Sequence, residues 1–266
     1  MRLAGAVILL GAGWACTSPS SSPPSPPPSG GDAGAAQMTP AVADAVGSAK
    51  AASADAPATP VVPVCDSAQM CTFSWGSRVF AVDGQNGARI VTFALAGDNV
   101  LVAKTAGAAE FGATFWPSPQ TLWNWPPIAA VDSGPYTVAL QGNMLIMTSG
   151  TFTLATGEPM MTVEKHFAVD AASSVVTITY VLVNQGNSSI SLAPWEVTRV
   201  APGGVAFFPD PAGGAAPLAC SGTFSAPATS DLESYTFFAD LPGTGETKLC
   251  AAGGAKGYQA YLGGSL

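Results

Sequence analysis

Short apolar runs broken by turn-forming pairs dominate the chain after Val64, and this pattern constrains the fold more than any other feature. The runs are rich in Val, Ile, Thr, Phe and Tyr, and Asp-Gly, Asn-Gly and Gly-Asn pairs separate them. β-Branched and aromatic residues favour strands, whereas these pairs favour the turns of antiparallel hairpins. No ten-residue window shows the apolar stripe of a helix. The pattern therefore predicts an all-β, antiparallel sandwich.

Alternation is clearest in the stretch Val175–Val183. Its apolar residues share one face and its threonines the other: Val176, Ile178, Tyr180 and Leu182 against Thr177 and Thr179. The other predicted strands are Arg78–Val82, Ala88–Leu95, Asn99–Ala103, Tyr136–Gln141, Met144–Thr148, Met160–Val169, Ser189–Ala193, Glu196–Ala201 and Val205–Phe208. After Ala212 the pattern weakens, with one further predicted strand at Tyr235–Phe238, which is typical of a domain interrupted near its C-terminus.

Residues 1–15 have the order of a secretory signal peptide. Arg2 precedes the apolar run Leu3–Leu10, and small residues lead to Ala15. This run is too short to remain as a membrane-spanning helix. Cys16 follows in a context that resembles the lipobox of bacterial lipoproteins, whose Cys is acylated, although Trp14 replaces the usual small residue. We expect a lipid-anchored protein of the cell envelope, in the outer membrane or periplasm; the alternative is ordinary cleavage and secretion.

Residues 16–63 have the composition of a tether. The segment is almost wholly Ser, Pro, Gly, Ala and Thr, and such sequence lacks the apolar bulk that offsets the entropy of ordering it. Residues 64–266 are left as one β-sandwich domain, which agrees with the usual size of a single domain.

Charge and metal-binding residues exclude several functions. The net charge is −8, so a phosphate backbone would be repelled and nucleic-acid binding is not expected. His166 is the single histidine, and no Cys/His grouping has the spacing of a zinc site. No metal or other cofactor is expected.

Four cysteines remain when Cys16 is set aside: Cys65, Cys71, Cys220 and Cys250. An even number fits an exported protein, in whose compartment disulfides persist. Of the three pairings, Cys65 with Cys71 and Cys220 with Cys250 closes the shortest loops. Free buried thiols are the alternative.

Three segments carry residue types that suit a binding site. The first runs from Gly87 to Phe93 and continues through Gly97-Asp98-Asn99; the second is Phe115-Trp116-Pro117-Ser118-Pro119-Gln120 followed by Trp123-Asn124-Trp125. The third joins Asn184-Gln185-Gly186-Asn187 to Pro194-Trp195-Glu196 and Arg199. In their order, over residues 75–209, they resemble the galactose mutarotase-like β-supersandwich superfamily, which includes aldose 1-epimerases, and in particular an uncharacterised bacterial branch of it.

This resemblance implies a concave sheet that faces a mono- or oligosaccharide. Sugars are held by aromatic platforms beside carboxylate, amide and guanidinium groups. The residues that offer this mix are Trp116, Gln120, Trp123, Asn124, Trp125, Trp195, Glu196 and Arg199. The alternative is that these tryptophans pack a loop against the sheet, and that Glu196 forms an ion pair with Arg199.

Catalysis of the epimerase type needs a general acid and a general base, typically a His and a Glu in the family. On the predicted strand Met160–Val169, Glu164 and His166 point to one face about 7 Å apart; Glu196 is a further candidate. The epimerase His-Pro motif is replaced here by Pro194-Trp195-Glu196, and the C-terminal Glu of those enzymes is not found. A cross-strand polar face explains the pair equally well, and hydrolysis by two carboxylates among Glu158, Glu164, Glu196 and Asp132 stays open.

Three hypotheses follow: an envelope lipoprotein that binds a carbohydrate, an aldose 1-epimerase or related sugar-modifying enzyme, and a structural envelope protein without a ligand. In each of them the lipid anchor is the sole contact with the membrane.

Overall fold

A computed structural model describes residues 57–107, 110–155, 157, 160–200, 204–209, 232–236 and 260–262. The predicted signal peptide, the acylation residue Cys16 and nearly all of the tether lie outside the described residues. So do Cys220, Cys250 and Glu158.

The described chain is mostly strands. They are β1 (Val64–Cys65), β2 (Met70–Trp75), β3 (Arg78–Asp83), β4 (Arg89–Leu95), β5 (Asp98–Asn99), β6 (Ala113–Ser118), β7 (Thr137–Gln141), β8 (Met144–Thr148), β9 (Phe152–Thr153), β10 (Met160–Asp170), β11 (Val175–Asn184), β12 (Ala193–Thr198), β13 (Val205–Pro209), β14 (Leu232–Thr236) and β15 (Ala260–Leu262). A 3-10 turn at Gln120–Leu122 and a one-turn helix, α1, at Ala129–Asp132 lie between β6 and β7.

Two antiparallel sheets form the sandwich, which confirms the predicted all-β class. The first has the order β1-β2-β3-β4-β6-β12, with β5 beside β4. The second has the order β11-β10-β8-β7, with β9 beside β10, and β13, β14 and β15 form a smaller sheet. The long β10–β11 hairpin pairs Met161 with Asn184 and Asp170 with Val175 without a register shift.

Several strands differ from the sequence-based expectation. Ala113–Ser118 was not among the predicted strands, but it forms β6, in which Pro117 lies opposite Pro194. Two residues without a backbone N–H therefore share one position of the ladder. Met70–Trp75 is a strand that the pattern did not predict, whereas the predicted strand at Ser189–Ala193 does not form.

The core consists of two apolar clusters along β10. Near its end, Phe167 and Val169 pack with residues of β2 and β3 such as Phe73 and Phe80. Near its start, Met161 and Val163 pack in a second cluster of buried residues, with Phe115, Trp116, Trp123, Val131, Phe152 and Leu154. Every second residue of β10 from Met161 to Val169 thus projects into the interior.

The domain begins a few residues before the predicted boundary. The backbone N–H of Val61 donates to Val169, and that of Ala171 donates to Thr59, so the end of the tether lies along the end of β10. The Asp170 carboxylate accepts a hydrogen bond from the Thr59 N–H at 2.7 Å. These contacts attach the tether to the second sheet.

The predicted Cys65–Cys71 disulfide is present and joins β1 to β2. Among the residues in view, no helix is long and apolar enough to cross a membrane.

Candidate functional site

The strands β6 and β12 carry two different sets of side chains on their two faces. Trp116 lies directly opposite Trp195, and Phe115 lies opposite Glu196. Residues opposite one another in an antiparallel pair project to the same face, so the two tryptophans share one face and Phe115 and Glu196 share the other. Phe115 stacks on Tyr180 of the second sheet, which identifies its face as the inner one. The tryptophans therefore lie on the outer face.

Four indole rings converge on this outer face, with Trp116 at the centre. The ring centroid of Trp116 lies 6.0 Å from that of Trp123, 6.0 Å from that of Trp125 and 5.2 Å from that of Trp195. Trp125 and Trp195 each meet it edge to face at 86°, a favourable geometry for aromatic pairs. The structure thus brings together tryptophans from the second and third predicted segments.

Exposure divides this cluster into a base and a rim. Trp116 and Trp123 are 4% and 8% exposed, whereas Trp125 is 62% exposed and Trp195 is half-buried. The base packs against the domain, as the alternative interpretation of these tryptophans expected. The rim presents aromatic surface to solvent.

Asp132 at the end of α1 holds the base of the cluster in place. Its Oδ1 accepts hydrogen bonds from the Trp116 indole N–H at 2.8 Å and from the Thr114 hydroxyl at 3.2 Å. Its Oδ2 forms an ion pair with the buried Arg89 at 2.8 Å. The Trp123 indole N–H donates to the Pro117 carbonyl at 2.7 Å. Both buried indoles are therefore hydrogen-bonded, and their orientation is fixed.

Arg199 supplies a cation beside the cluster. Its guanidinium carbon lies 5.8 Å from the Trp116 ring centroid, and its Nη2 forms an ion pair with the half-exposed Glu110. Its Nε and Nη1 are buried and have no hydrogen-bond acceptor. The alternative interpretation placed Glu196 in an ion pair with Arg199, but Arg199 pairs with Glu110 instead.

The two amide residues of the predicted site lie at the rim of the cluster. Gln120 begins the 3-10 turn, and the Asn124 N–H donates to its backbone carbonyl at 2.8 Å. Asn124 is exposed and has a φ of 59°, a conformation that Asn adopts more readily than most residues. Asn124 directly precedes Trp125, which carries the most exposed indole of the cluster.

Glu196 does not join the outer cluster, because its side chain projects into the sandwich. The Tyr180 hydroxyl donates to its Oε2, while its Oε1 is buried without a hydrogen-bond partner. Burial raises the pKa of Glu196 to about 7, and the nearby Lys165 opposes that rise. Burial also raises the pKa of Tyr180.

Lys165 is a buried cation on the apolar face of β10, and it was not among the predicted site residues. It is 1% exposed, and its Nζ donates to the Gly87 carbonyl at 2.7 Å and to the Ala88 carbonyl at 3.3 Å. Burial lowers its pKa to about 8, which Glu196 partly offsets. The signal was visible, since a Lys interrupts the apolar alternation Met161, Val163, Phe167.

His166 and Glu164 meet one another, but away from the tryptophans. His166 Nε2 lies 2.8 Å from Glu164 Oε2, and both side chains are partly exposed. Because Lys165 between them points inward, the pair lies on the outer face of the second sheet. Glu196 projects into the interior from the first sheet. His166 and Glu196 are thus not brought to one site.

The Asp132 carboxylate is already occupied by Arg89, Thr114 and Trp116. Within the described ranges, no group of three or more His, Cys, Asp and Glu side chains could hold a metal ion. Comparison with known protein families, with curated proteins and with solved structures finds no match.

Proposed function

We propose that this chain is an exported cell-envelope lipoprotein that binds a carbohydrate through the outer tryptophan cluster. The observation that carries the proposal is the convergence of Trp125 and Trp195 on the buried Trp116, with Trp125 exposed to solvent. Hydrated aromatic surface held on a rigid base suits the apolar C–H face of a sugar ring. The sequence resemblance to the galactose mutarotase-like superfamily supports the same ligand class.

Polar groups around the exposed indoles suit sugar hydroxyls. Gln120 and Asn124, in the turn that leads to Trp125, offer amide donors and acceptors, whereas Arg199 is buried and committed to Glu110. With a net charge of −8 and Glu110 paired to Arg199, neutral sugars fit better than acidic ones. The proposed ligand is therefore a neutral mono- or oligosaccharide.

Calorimetric titration of the exported protein with glucose, galactose, lactose and cellobiose tests this proposal. Trp125→Ala should weaken binding about tenfold, which corresponds to about 1.4 kcal/mol, the upper part of the range for one aromatic contact. Leu140→Ala is the matched control, because Leu140 is 49% exposed on the second sheet, away from the cluster. Equal affinity of the wild type and Trp125→Ala would remove Trp125 from the site.

If none of these sugars binds or raises the melting temperature, the structural alternative without a ligand is favoured. A ligand that binds the native state must raise that temperature when its free concentration is well above Kd.

A second candidate function is an aldose 1-epimerase, and the 2.8 Å contact between His166 and Glu164 is the observation that favours it. Such a pair can exchange a proton with the anomeric hydroxyl of a sugar. Polarimetry of freshly dissolved galactose separates the two functions, because a catalyst accelerates mutarotation and a binder does not. Accelerated mutarotation that is lost in His166→Gln would favour the enzyme.

A further inference from the structure

Strands β6 and β12 carry one pair of opposed residues on their outer face, Trp116 and Trp195, and one pair on their inner face, Phe115 and Glu196. Trp116 follows Phe115 on β6, and Trp195 precedes Glu196 on β12. Since Trp116 faces Trp195 outside and Phe115 faces Glu196 inside, any shift of β12 against β6 displaces both pairs together.

One side chain from the second sheet contacts both members of the inner pair. The Tyr180 ring stacks on Phe115 with centroids 4.6 Å apart and an interplanar angle of 21°. The Tyr180 hydroxyl donates to Glu196 Oε2. Within the portion of the chain that can be described, β12 pairs along its length with β6 alone. The contacts of Tyr180 therefore tie this outlying strand to the rest of the sandwich.

We propose that Tyr180 is a positioning residue for the outer tryptophan cluster. From the inner face of the sheet, it holds Trp116 and Trp195 in their edge-to-face geometry. This inference rests on the proposed carbohydrate-binding function, since it assigns the regulation of that same site. Tyr180 does not touch the outer face, and its effect on a ligand is transmitted through Phe115 and Glu196.

The contact of Tyr180 with Glu196 is sensitive to pH because Glu196 is ionisable and lies in the interior. The charged or titratable groups that face it are Tyr180 from β11, Lys165 from β10 and Arg199 beyond the end of β12. Lys165 is in turn close to Asp132 and Arg89, and Tyr180 to Tyr136. Ionised Glu196 places a charge on the buried Oε1, which has no hydrogen-bond donor.

A rise in pH changes the charge of both Glu196 and Lys165, whose pKa values are shifted, and each change makes the interior less favourable for the Glu196 carboxylate. The carboxyl of Glu196 loses its proton as the pH passes about 7, and Lys165 loses its compensating charge as the pH passes about 8. Each step leaves the buried carboxylate less well compensated. The Tyr180 hydroxyl donates more strongly to a carboxylate than to a carboxyl, but the cost of the desolvated charge is larger, because the pKa of Glu196 is raised overall. Ionisation of Glu196 therefore destabilises the packing of β12 against the second sheet. Affinity for a sugar should therefore fall between about pH 6 and about pH 8.5.

Tyr180→Phe tests the hydrogen bond to Glu196 directly, because it keeps the ring that stacks on Phe115 and removes the hydroxyl. We expect a changed near-ultraviolet circular dichroism spectrum in the tryptophan region and galactose affinity reduced about fivefold at pH 6, the equivalent of one net hydrogen bond. Thr179→Val is the matched control, since it changes the neighbouring exposed residue on the other face of β11.

Glu196→Gln is the second variant and mimics the protonated carboxyl. It should preserve the wild-type spectrum and abolish the fall of galactose affinity between the two pH values. Spectra of Tyr180→Phe that superimpose on the wild type, or an unchanged pH profile in Glu196→Gln, would overturn the inference. If the wild type binds no galactose, the proposed function fails for that sugar, and the spectrum of Tyr180→Phe alone decides on the positioning role.

Discussion

At the scale of single residues, the interior of this sandwich contains a cation and a carboxyl group in an apolar setting. Lys165 lies on β10 between the two apolar clusters, within 5.9 Å of the Phe115 ring and 5.3 Å of the Tyr136 ring. Its two carbonyl acceptors and its through-space attraction to Glu196 compensate in part for the loss of water. Sequence patterns assign charged residues to polar faces by default, so the burial of Glu196 was not predictable, and that of Lys165 was indicated only by its place in the apolar alternation of β10.

Stability should depend on pH through Glu196. Its folded-state pKa of about 7 lies above its usual value of 4.5, so the stability that it contributes is fully present at acid pH and is lost as the pH rises through about 7. The pKa of Lys165 is lowered only to about 8, so that group stays charged in both states below pH 7 and the slope there belongs to Glu196.

Urea unfolding at pH 5 and pH 7 measures this effect. The free energy of unfolding of the wild type should fall by on the order of 1 to 3 kcal/mol relative to that of Glu196→Gln. Profiles of the two proteins that run parallel over this interval would contradict the assignment.

At the scale of elements, strands were predictable where apolar and polar residues alternate. β10 and β11 follow the expected faces, because Met161, Val163 and Phe167 are buried and Thr177 and Thr179 are exposed. β6 was missed because its prolines indicate a loop, and only the pairing with β12 shows how Pro117 is accommodated. The convergence of the tryptophans was predicted as a hypothesis, but its division into a buried base and an exposed rim depends on α1 and Asp132, which no local pattern indicates.

The segment that carries α1 packs closely on Gly87, at the turn before β4. A Cβ at Gly87 would lie 2.0 Å from the Asp132 carbonyl oxygen, so any side chain there must displace α1. Gly87→Ala should destabilise the domain by about 3 kcal/mol or more, because it combines overpacking with a positive φ. It should also disturb the hydrogen bond from Trp116 to Asp132.

Gly142→Ala is the control for this substitution, measured by thermal unfolding and tryptophan fluorescence. Gly142 has a φ of +61°, close to the +69° of Gly87, and nothing lies within 4 Å of its added Cβ. The difference between the two variants therefore isolates the clash with α1. Equal losses in both would show that backbone strain alone accounts for the effect.

At the scale of the whole molecule, the proposed attachment to the cell envelope depends on Cys16. If the signal peptide is followed by acylation, the mature protein partitions into the detergent phase of a Triton X-114 extraction and a Cys16→Ser variant moves to the aqueous phase or remains uncleaved. Ala15→Val, which leaves the acylated residue intact, distinguishes loss of processing from loss of the anchor. Wild-type protein recovered wholly in the aqueous phase would favour secretion without a lipid.

The two ends of β10 have different attachments. The tether joins it at Asp170, and the apolar cluster that contains Trp116 packs on it at Met161. In a protein anchored as proposed, a pull on the tether would first load the hydrogen bonds that Thr59 and Val61 make with the end of β10. The pairing of β1 with β2 would bear the load only after these bonds break, because β1 follows the tether directly in the chain.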